Sequence, residues 1–338
     1  MAGTVLVTGG SGYIAGFTIR QLIAEGWTVR TTIRSLSREA EVRGWLGVDN
    51  DRLSFFAADL ISDDGWAEAS TGCSHVAHLA SPLPAGAVKH EDDLIVPARE
   101  GALRALRFAR DAAVQRVVMT SSVAAIAYGH PPGQTTFTEA DWSDPAAAST
   151  GAYPRSKTIA ERAARDWIAA EGGALEMVTV NPSLVLGPVL APDFSASVEV
   201  IKRLLSGSLP GLPPLGFGVV DVRDVADLHV RALTAPGIAG ERFIASGRFM
   251  TMAAVAQVLR DRLGDQAAKV PTRRLPGWVL RVVALFDPMV RQITGEIGRT
   301  RATPATHAHD VLGWTPRPAE ETIVDTAESL IERGVVKV

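Results

Sequence analysis

The first sixteen residues constrain the fold more than any other stretch. Thr4-Val5-Leu6-Val7 is a short apolar run that leads straight into Thr8-Gly9-Gly10-Ser11-Gly12-Tyr13-Ile14-Ala15-Gly16, and Ile19, Leu22 and Ile23 follow at helical spacing. Strand, glycine loop and helix in that order make a cradle for a dinucleotide pyrophosphate. Glycines let the backbone approach the phosphates, and the helix start presents free N–H groups and the positive end of its dipole. A bare glycine triplet is a weak signal, but one flanked by a strand and a helix is much stronger. The alternative is a strand–turn–helix without a ligand, and the loop's place on the first strand of an α/β pattern weighs against it.

Apolar strand-like runs recur at residues 5–7, 29–33, 53–57, 75–79, 116–120 and 176–180, with helix-like stretches between them, notably 92–113 and 151–171. This alternation predicts an α/β fold, a doubly wound parallel sheet of Rossmann type with helices on both faces. Ligands of such folds bind beyond the carboxyl ends of the strands. There the glycine loop, the Ala80-Ser81-Pro82 turn and the Ser121-Ser122 turn should emerge. After about residue 182 proline and glycine become frequent, and 207–218 reads as a surface loop. Helical 223–233, strand-like 242–245 and helical 252–263 partly rejoin the main sheet. The expected division is a dinucleotide-binding domain over 1–182 with parts of 217–250, and a smaller, interwoven C-terminal substrate lobe over 183–216 and 251–338.

A chain of 338 residues with 46% hydrophobic content can fill both cores. Its 34 basic and 37 acidic residues leave a net charge of -3, with no basic surplus for a nucleic-acid partner. The single cysteine, Cys73, forbids an intrachain disulfide and fits a reduced, cytoplasmic chain, with the thiol a buried spectator. No signal-peptide pattern precedes the first strand. The apolar stretch 278–293 is broken by Arg281, Asp287, Pro288 and Arg291 and is too short to span a bilayer. It is expected as a packed helix or a subunit contact, and no membrane insertion is expected.

Tyr153 and Lys157 stand four residues apart, on one side of a helix if 151–171 is helical. The serine pair Ser121-Ser122 ends a strand-like run, 31 residues before Tyr153 counted from Ser122. An ammonium beside a phenol lowers its pKa from about 10. Such a phenol can exchange a proton with a carbonyl or alcohol oxygen. The end of the second strand reads Thr31-Thr32-Ile33-Arg34-Ser35, with Arg38 following and no acid. An acid there serves a ribose 2′-OH, whereas arginine accommodates a 2′-phosphate, so NADP(H) is the expected cofactor, held by Arg34 and Arg38. Two arginines at a helix start oppose its dipole, and an anionic partner would resolve that.

Gly9-x-x-Gly12-x-x-Ala15, followed by Ser, Tyr and Lys in that order, resembles the extended short-chain dehydrogenase/reductase superfamily, over nearly the whole chain. The resemblance implies Ser122, Tyr153 and Lys157 as a catalytic triad. Ser122 would steady the substrate oxygen as charge develops, and Lys157 would also bind the nicotinamide ribose. Ser122 is chosen over Ser121 by its family position and because neighbours on a strand point in opposite directions. The resemblance also implies cofactor contacts from Thr8, Gly9, Ser11, Gly12, Tyr13 and Ile14. Asp59 and Leu60 would meet the adenine, Ala80 and Ser81 the approach to the cofactor, and Pro182, Ser183, Leu184 and Val185 the nicotinamide carboxamide edge. His78 is expected in a strand core, Asp224 in a structural role, and Leu312-Gly313-Trp314-Thr315-Pro316 as a structural C-terminal signature.

The stretches 29–34, 78–82 and 117–122 look similar to dihydroflavonol reductases, cinnamoyl-CoA reductases and microbial aldehyde or ketone reductases. That implies NADPH-dependent reduction of a small-molecule aldehyde or ketone by a monomer or homodimer without a metal. Sugar dehydratases carry an Asp-Glu pair just after the catalytic hydroxyl position, where this chain has Val123-Ala124-Ala125-Ile126. Three alternatives stay open: an NAD-dependent nucleotide-sugar epimerase, a 3β-hydroxysteroid dehydrogenase, and an NADP-binding redox sensor that needs no triad. The expected substrate wall is Leu83, Ala124, Ile126, Val189, Leu190, Leu215 and Phe217, with Tyr128 and His130 adding polarity. An apolar wall suits a hydrophobic carbonyl, although each of these residues reads equally well as core.

Overall fold

The computed structural model describes residues 3–48, 51–82, 90–131, 133–191, 195–283, 285 and 294–337. In its first half, strands and helices alternate: β1 (Thr4–Thr8), α1 (Tyr13–Ala24), β2 (Thr28–Ile33), α2 (Glu39–Leu46), β3 (Leu53–Ala57), α3 (Trp66–Ser70), β4 (His75–His78), α4 (Asp92–Asp111), β5 (Arg116–Thr120), α5 (Ala152–Glu171) and β6 (Glu176–Pro182). Then come β7 (Leu184–Leu186), α6 (Ala196–Leu205), β8 (Gly216–Asp221), α7 (Val222–Thr234), β9 (Arg242–Ala245), β10 (Phe249–Thr251), α8 (Met252–Leu263), α9 (Gly277–Val283), α10 (Thr306–Leu312) and α11 (Ala319–Glu332).

The main sheet has the order β3-β2-β1-β4-β5-β6-β9, with every pairing parallel. Strands of a covered parallel sheet are apolar on both faces. In β1, Val5 and Val7 join a core with Ile19 and Leu22 of α1 and with Val225, Leu228 and Leu233 of α7. Leu6, between them, points to the other face and joins Ala102, Leu106 and Ala109 of α4 and Ala164 of α5. The order reverses between β1 and β4, which opens the crevice where ligands of this architecture bind.

A second sheet, β10-β8-β7, pairs β7 with β8 in parallel and β8 with β10 antiparallel. Its core is closed by Ile201 and Leu204 of α6, Leu259 of α8, and Ile323 and Leu330 of α11. This sheet is absent from the sequence expectations. Strands of three residues, such as β7 and β10, are too short to show alternation. The chain does return to the main sheet, since α7 packs on α1 and β9 pairs with β6.

Buried charge joins the two sheets. Asp221, at the end of β8, caps α7 by accepting Arg223 N–H at 2.8 Å and grips the Arg223 guanidinium at 2.8 and 2.7 Å. Arg223 also pairs with Asp325 of α11. Asp224 takes the backbone N–H of Arg317 at 2.8 Å and its guanidinium at 2.8 Å, and its own carbonyl accepts Trp314 Nε1 at 2.8 Å. Asp224 thus anchors the C-terminal segment. Of the apolar stretch near 280, α9 exposes Trp278 (65%) and Val282 (49%) while Leu280 is buried, and most of the remainder lies outside the described residues. Among the described residues no helix is long and apolar enough to cross a membrane.

Trp314 is buried and closes this anchor. Trp314→Ala should cost about 3–5 kcal/mol of stability, read as a lowered midpoint in urea unfolding with the slope unchanged.

Candidate active site

The glycine loop is held from two sides. Gly10 N–H donates to Thr32 O at 2.8 Å and Gly9 N–H to Thr32 Oγ1 at 3.1 Å, so the loop is stitched to β2. Gly9 has φ +73, and a Cβ there would stand 3.0 Å from Ala80 Cα. A Cβ on Gly10 would stand 2.2 Å from Thr31 Oγ1. Thr8 Oγ1 accepts Ala80 N–H at 3.0 Å and lies 2.9 Å from His78 Nδ1, tying the ends of β1 and β4 together. Burial keeps His78 neutral, its pKa pushed down to about 3. It therefore serves the strand core.

At the start of α1, Gly12 offers no side-chain cap and the first turn holds no acid. The leading N–H groups and the positive dipole end stay available to an anion. Below them is a cleft between Ser11, Gly12 and Tyr13, Trp45 of α2, and Val189 and Leu190 after β7. The Tyr13 phenol donates to Gly187 O at 2.7 Å, with its pKa raised by burial and then by Asp221. That bond commits the Tyr13 hydroxyl to Gly187.

Arg34 and Arg38 part company. Arg34 is exposed just past β2 and, among the described residues, makes no ion pair. Arg38 is committed: it pairs with Glu41 at 2.9 Å and lies over the Trp45 ring at 5.2 Å. After β3, Asp59 Oδ1 accepts Ile61 N–H at 3.2 Å and Asp59 O accepts Trp66 Nε1 at 2.9 Å. Leu60 packs on Gly101 of α4, where a Cβ would lie 2.8 Å from Leu60 Cδ2.

The serine pair splits as strand alternation demands. Ser121 Oγ donates inward to Glu161 Oε2 at 2.5 Å. Ser122, extended at φ -166, accepts Ala124 N–H at 3.1 Å, and its hydroxyl draws the Tyr153 pKa down. Tyr153 and Lys157 lie on α5, with Nζ 6.0 Å from the Tyr153 ring centroid. Lys157 donates to Ser81 Oγ at 3.0 Å and to Thr120 O at 3.5 Å, which brings the turns after β4 and β5 to the helix. Ser122, Tyr153, Lys157 and Ser81 thus converge at the carboxyl ends of β4 and β5.

The electrostatics correct one expectation. Burial, rather than Lys157, dominates the Tyr153 phenol and holds it above its ordinary value, with the Ser122 hydrogen bond pulling the other way. Burial also pushes the Lys157 ammonium down to about 8, against the field of Glu161. Glu161, one turn beyond Lys157, escaped the sequence expectations. Its signal was an acid at the third of three positions spaced four apart, Tyr153, Lys157, Glu161.

The expected substrate wall divides. Ala124 and Ile126 are buried in the core, Ile126 with Phe137 and Ile244. Val189 and Leu215 belong to the core of the second sheet. Of these four, Val189 also lines the cleft under the glycine loop. Tyr128 and Phe217 are half-buried, and Arg301 lies over the Tyr128 ring at 4.3 Å. Leu83 lies outside the described residues. Pro182 ends β6, and Ser183, Leu184 and Val185 lead into β7, beneath Ser122, whose Oγ donates to Pro182 O at 3.4 Å.

Residues 5–244 match the NAD dependent epimerase/dehydratase family. Cinnamoyl-CoA reductase CAD2 of Medicago truncatula is 35% identical over 98% of this chain and 97% of its own length. Dihydroflavonol 4-reductase of Zea mays is 31% identical, covering 81% of this chain and 78% of its own. Among solved structures, yeast methylglyoxal/isovaleraldehyde reductase Gre2 complexed with NADPH aligns with a TM-score of 0.81 at 26% identity, over 98% of this chain and 100% of that one. The chain belongs to the NAD dependent epimerase/dehydratase family, in the extended branch that its motifs resemble.

Cys73 is buried, donates to Ala69 O at 3.4 Å and has its pKa pushed up to about 11 by burial. Its thiol should resist a thiol-reactive chromophore at neutral pH in the folded chain and react at once in denaturant. Rapid labelling of the native protein would contradict this placement.

Proposed function

We propose that this chain is an NADPH-dependent reductase that converts an aldehyde or ketone, of apolar or aromatic character, to the alcohol through Ser122, Tyr153 and Lys157. The observation that carries the proposal is the convergence of those three side chains at the carboxyl ends of the central strands, beside the crevice under the glycine loop. The names of the similar proteins, reductases among them one complexed with NADPH, support the same choice.

The residues present fit a dinucleotide phosphate. Among the described residues, the start of α1 has no side-chain cap and Arg34 makes no ion pair. Gly9, Ser11, Gly12 and the backbone of Tyr13 and Ile14 would hold the pyrophosphate, Asp59 and Leu60 the adenine, and Arg34 the 2′-phosphate. Arg38 has a lesser share because Glu41 and Trp45 already engage it. Thr8 acts indirectly, since its hydroxyl is spent on fixing Ala80. Ala80, Ser81, Lys157 and residues 182–185 would border the nicotinamide end. When bound, the reduced nicotinamide supplies the hydride. Residues 183–216 and 251–338 are proposed as the lobe that shapes the substrate site.

The chain's own groups then manage the proton. A Tyr153 phenol held above its ordinary value is protonated at neutral pH, the form needed to give its proton to a carbonyl oxygen becoming an alkoxide. Ser122 Oγ, fixed between Ala124 N and Pro182 O, is placed to hydrogen-bond that oxygen. The Tyr153 phenolate left behind is stabilised by the Lys157 ammonium and the Ser122 hydrogen bond. No acid or base follows Ser122 in Val123–Ala125, so dehydration lacks its catalyst. An epimerase holding NAD would favour an acid where Arg34 stands.

Tyr153→Phe should lower kcat for carbonyl reduction by about 100- to 10,000-fold, with NADPH affinity retained; a redox sensor would be indifferent. Arg34→Ala should raise KM for NADPH about tenfold, roughly 1.4 kcal/mol, and leave KM for NADH unchanged; equal changes would contradict the 2′-phosphate assignment. Lys157 supports the phenolate only while charged. The reductive kcat/KM should therefore hold below, and fall as pH rises through, the Lys157 value of about 8.

A further inference from the structure

Tyr153, Lys157 and Glu161 share one face of α5 at four-residue steps. The first two reach the site. Glu161 lies one turn deeper and has no solvent exposure. A buried carboxylate is costly unless it is paired and fully hydrogen-bonded. Here it accepts from Arg242 Nε of β9 at 2.7 Å, Ser121 Oγ after β5 at 2.5 Å, Asn181 Nδ2 of β6 at 3.0 Å, Thr179 Oγ1 of β6 at 3.2 Å and Arg165 Nε at 3.5 Å. The three strands that run beneath α5 each send it a donor.

Those donors are themselves fixed. Arg242 also donates to the carbonyls of Glu139 and Asp141 at 2.6 and 2.7 Å and lies over the Trp142 ring at 3.9 Å. The Asn181 amide that bonds Glu161 donates at the same time to the Ser122 carbonyl at 3.1 Å. A short path therefore runs from Lys157 along the helix to Glu161, through Asn181, and back to Ser122.

We infer that Glu161 is a positioning residue of the reaction centre: it locks the helix bearing Tyr153 and Lys157 to the Ser121–Ser122 turn through Asn181 and Ser121, with its carboxylate one helical turn from Lys157. This rests on the Ser122–Tyr153–Lys157 reading of the site. All five neighbours offer N–H or O–H groups, and only an ionised carboxylate accepts from every side. A glutamine would turn its own N–H bonds against donors.

The charge effect has a defined sign. Burial lowers the Lys157 pKa and Glu161 raises it. The other ionisable groups around the pair are Tyr153 and Arg165 on α5, Arg242 on β9, His78 on β4 and His229 on α7, whose Nε2 lies 2.7 Å from Thr120 Oγ1. Burial holds His78 near 3 and His229 near 4, so both are neutral through the neutral range, and the arginines stay charged. Among the described groups named here, only Lys157 changes charge there, since Tyr153 stays protonated.

The test compares the full chain with Glu161→Gln, Asn181→Ala and Tyr153→Phe, measuring kcat, NADPH affinity, thermal midpoint and the pH profile of kcat/KM. Glu161→Gln should lose at least about tenfold in kcat, with NADPH binding kept at about pH 7, and should move the alkaline limb down by about one unit. Asn181→Ala should lose kcat with that limb unmoved. A folded Glu161→Gln with the parent's kcat and limb overturns the inference. Should Glu161→Gln not fold, Asn181→Ala decides: parental kcat overturns it, and a tenfold loss at unchanged NADPH affinity supports it. Active Tyr153→Phe would instead overturn the catalytic reading itself, whereas an inert Tyr153→Phe beside a fully parental Glu161→Gln overturns this inference alone.

Discussion

The reversal of strand order between β1 and β4 is the constraint on which the rest depends. It leaves the carboxyl ends of two neighbouring strands diverging, and the glycine loop and the Ala80–Ser81 turn fill the gap. The fit is close enough that Gly9 must be a glycine, both for its φ of +73 and for its contact with Ala80. The Thr8 hydroxyl completes it by taking the Ala80 N–H. That turn then delivers Ser81 to Lys157, and the helix of Lys157 carries Tyr153 to Ser122. Cofactor cradle and proton chemistry are therefore two outcomes of one topological choice.

Buried charge orients elements here more than it stabilises them. Desolvation takes back much of what a buried ion pair gains, so such pairs are weak sources of stability but strong directional ties. Asp221 and Asp224 use arginines to fasten the C-terminal helix to the end of β8 and the start of α7. Glu161 does the same for α5 against three strands. Asp221 and Asp224 sit at the boundary between β8 and α7, and Glu161 midway along α5. The apolar clusters hold the layers together, and these ties set where the layers stop relative to one another.

Much of the main sheet was legible because each strand is a continuous apolar run and each connection a helix with its own period. The bounds of β9 and α8 coincide with the expected ones. The second sheet was not legible, since β7 and β10 are too short to carry a pattern. At the site, the glycine loop and Arg34 were read from residue type and spacing, and Ser122, Tyr153 and Lys157 from the family resemblance. Side-chain direction was hidden: nothing local says that the Tyr13 phenol turns to Gly187, that Arg38 is held by Glu41 and Trp45, or that packing consumes Ala124 and Ile126. The Tyr153 ionisation was misjudged because burial, a tertiary property, outweighs the nearby lysine.

The most direct measurement is loss of reduced-nicotinamide absorbance with purified protein, comparing NADPH with NADH against aromatic aldehydes, aryl ketones, β-keto esters, steroids and a nucleotide sugar. The account predicts faster loss with NADPH and an apolar carbonyl. No turnover with any carbonyl, together with NAD retained through purification, would contradict it and point to an epimerase.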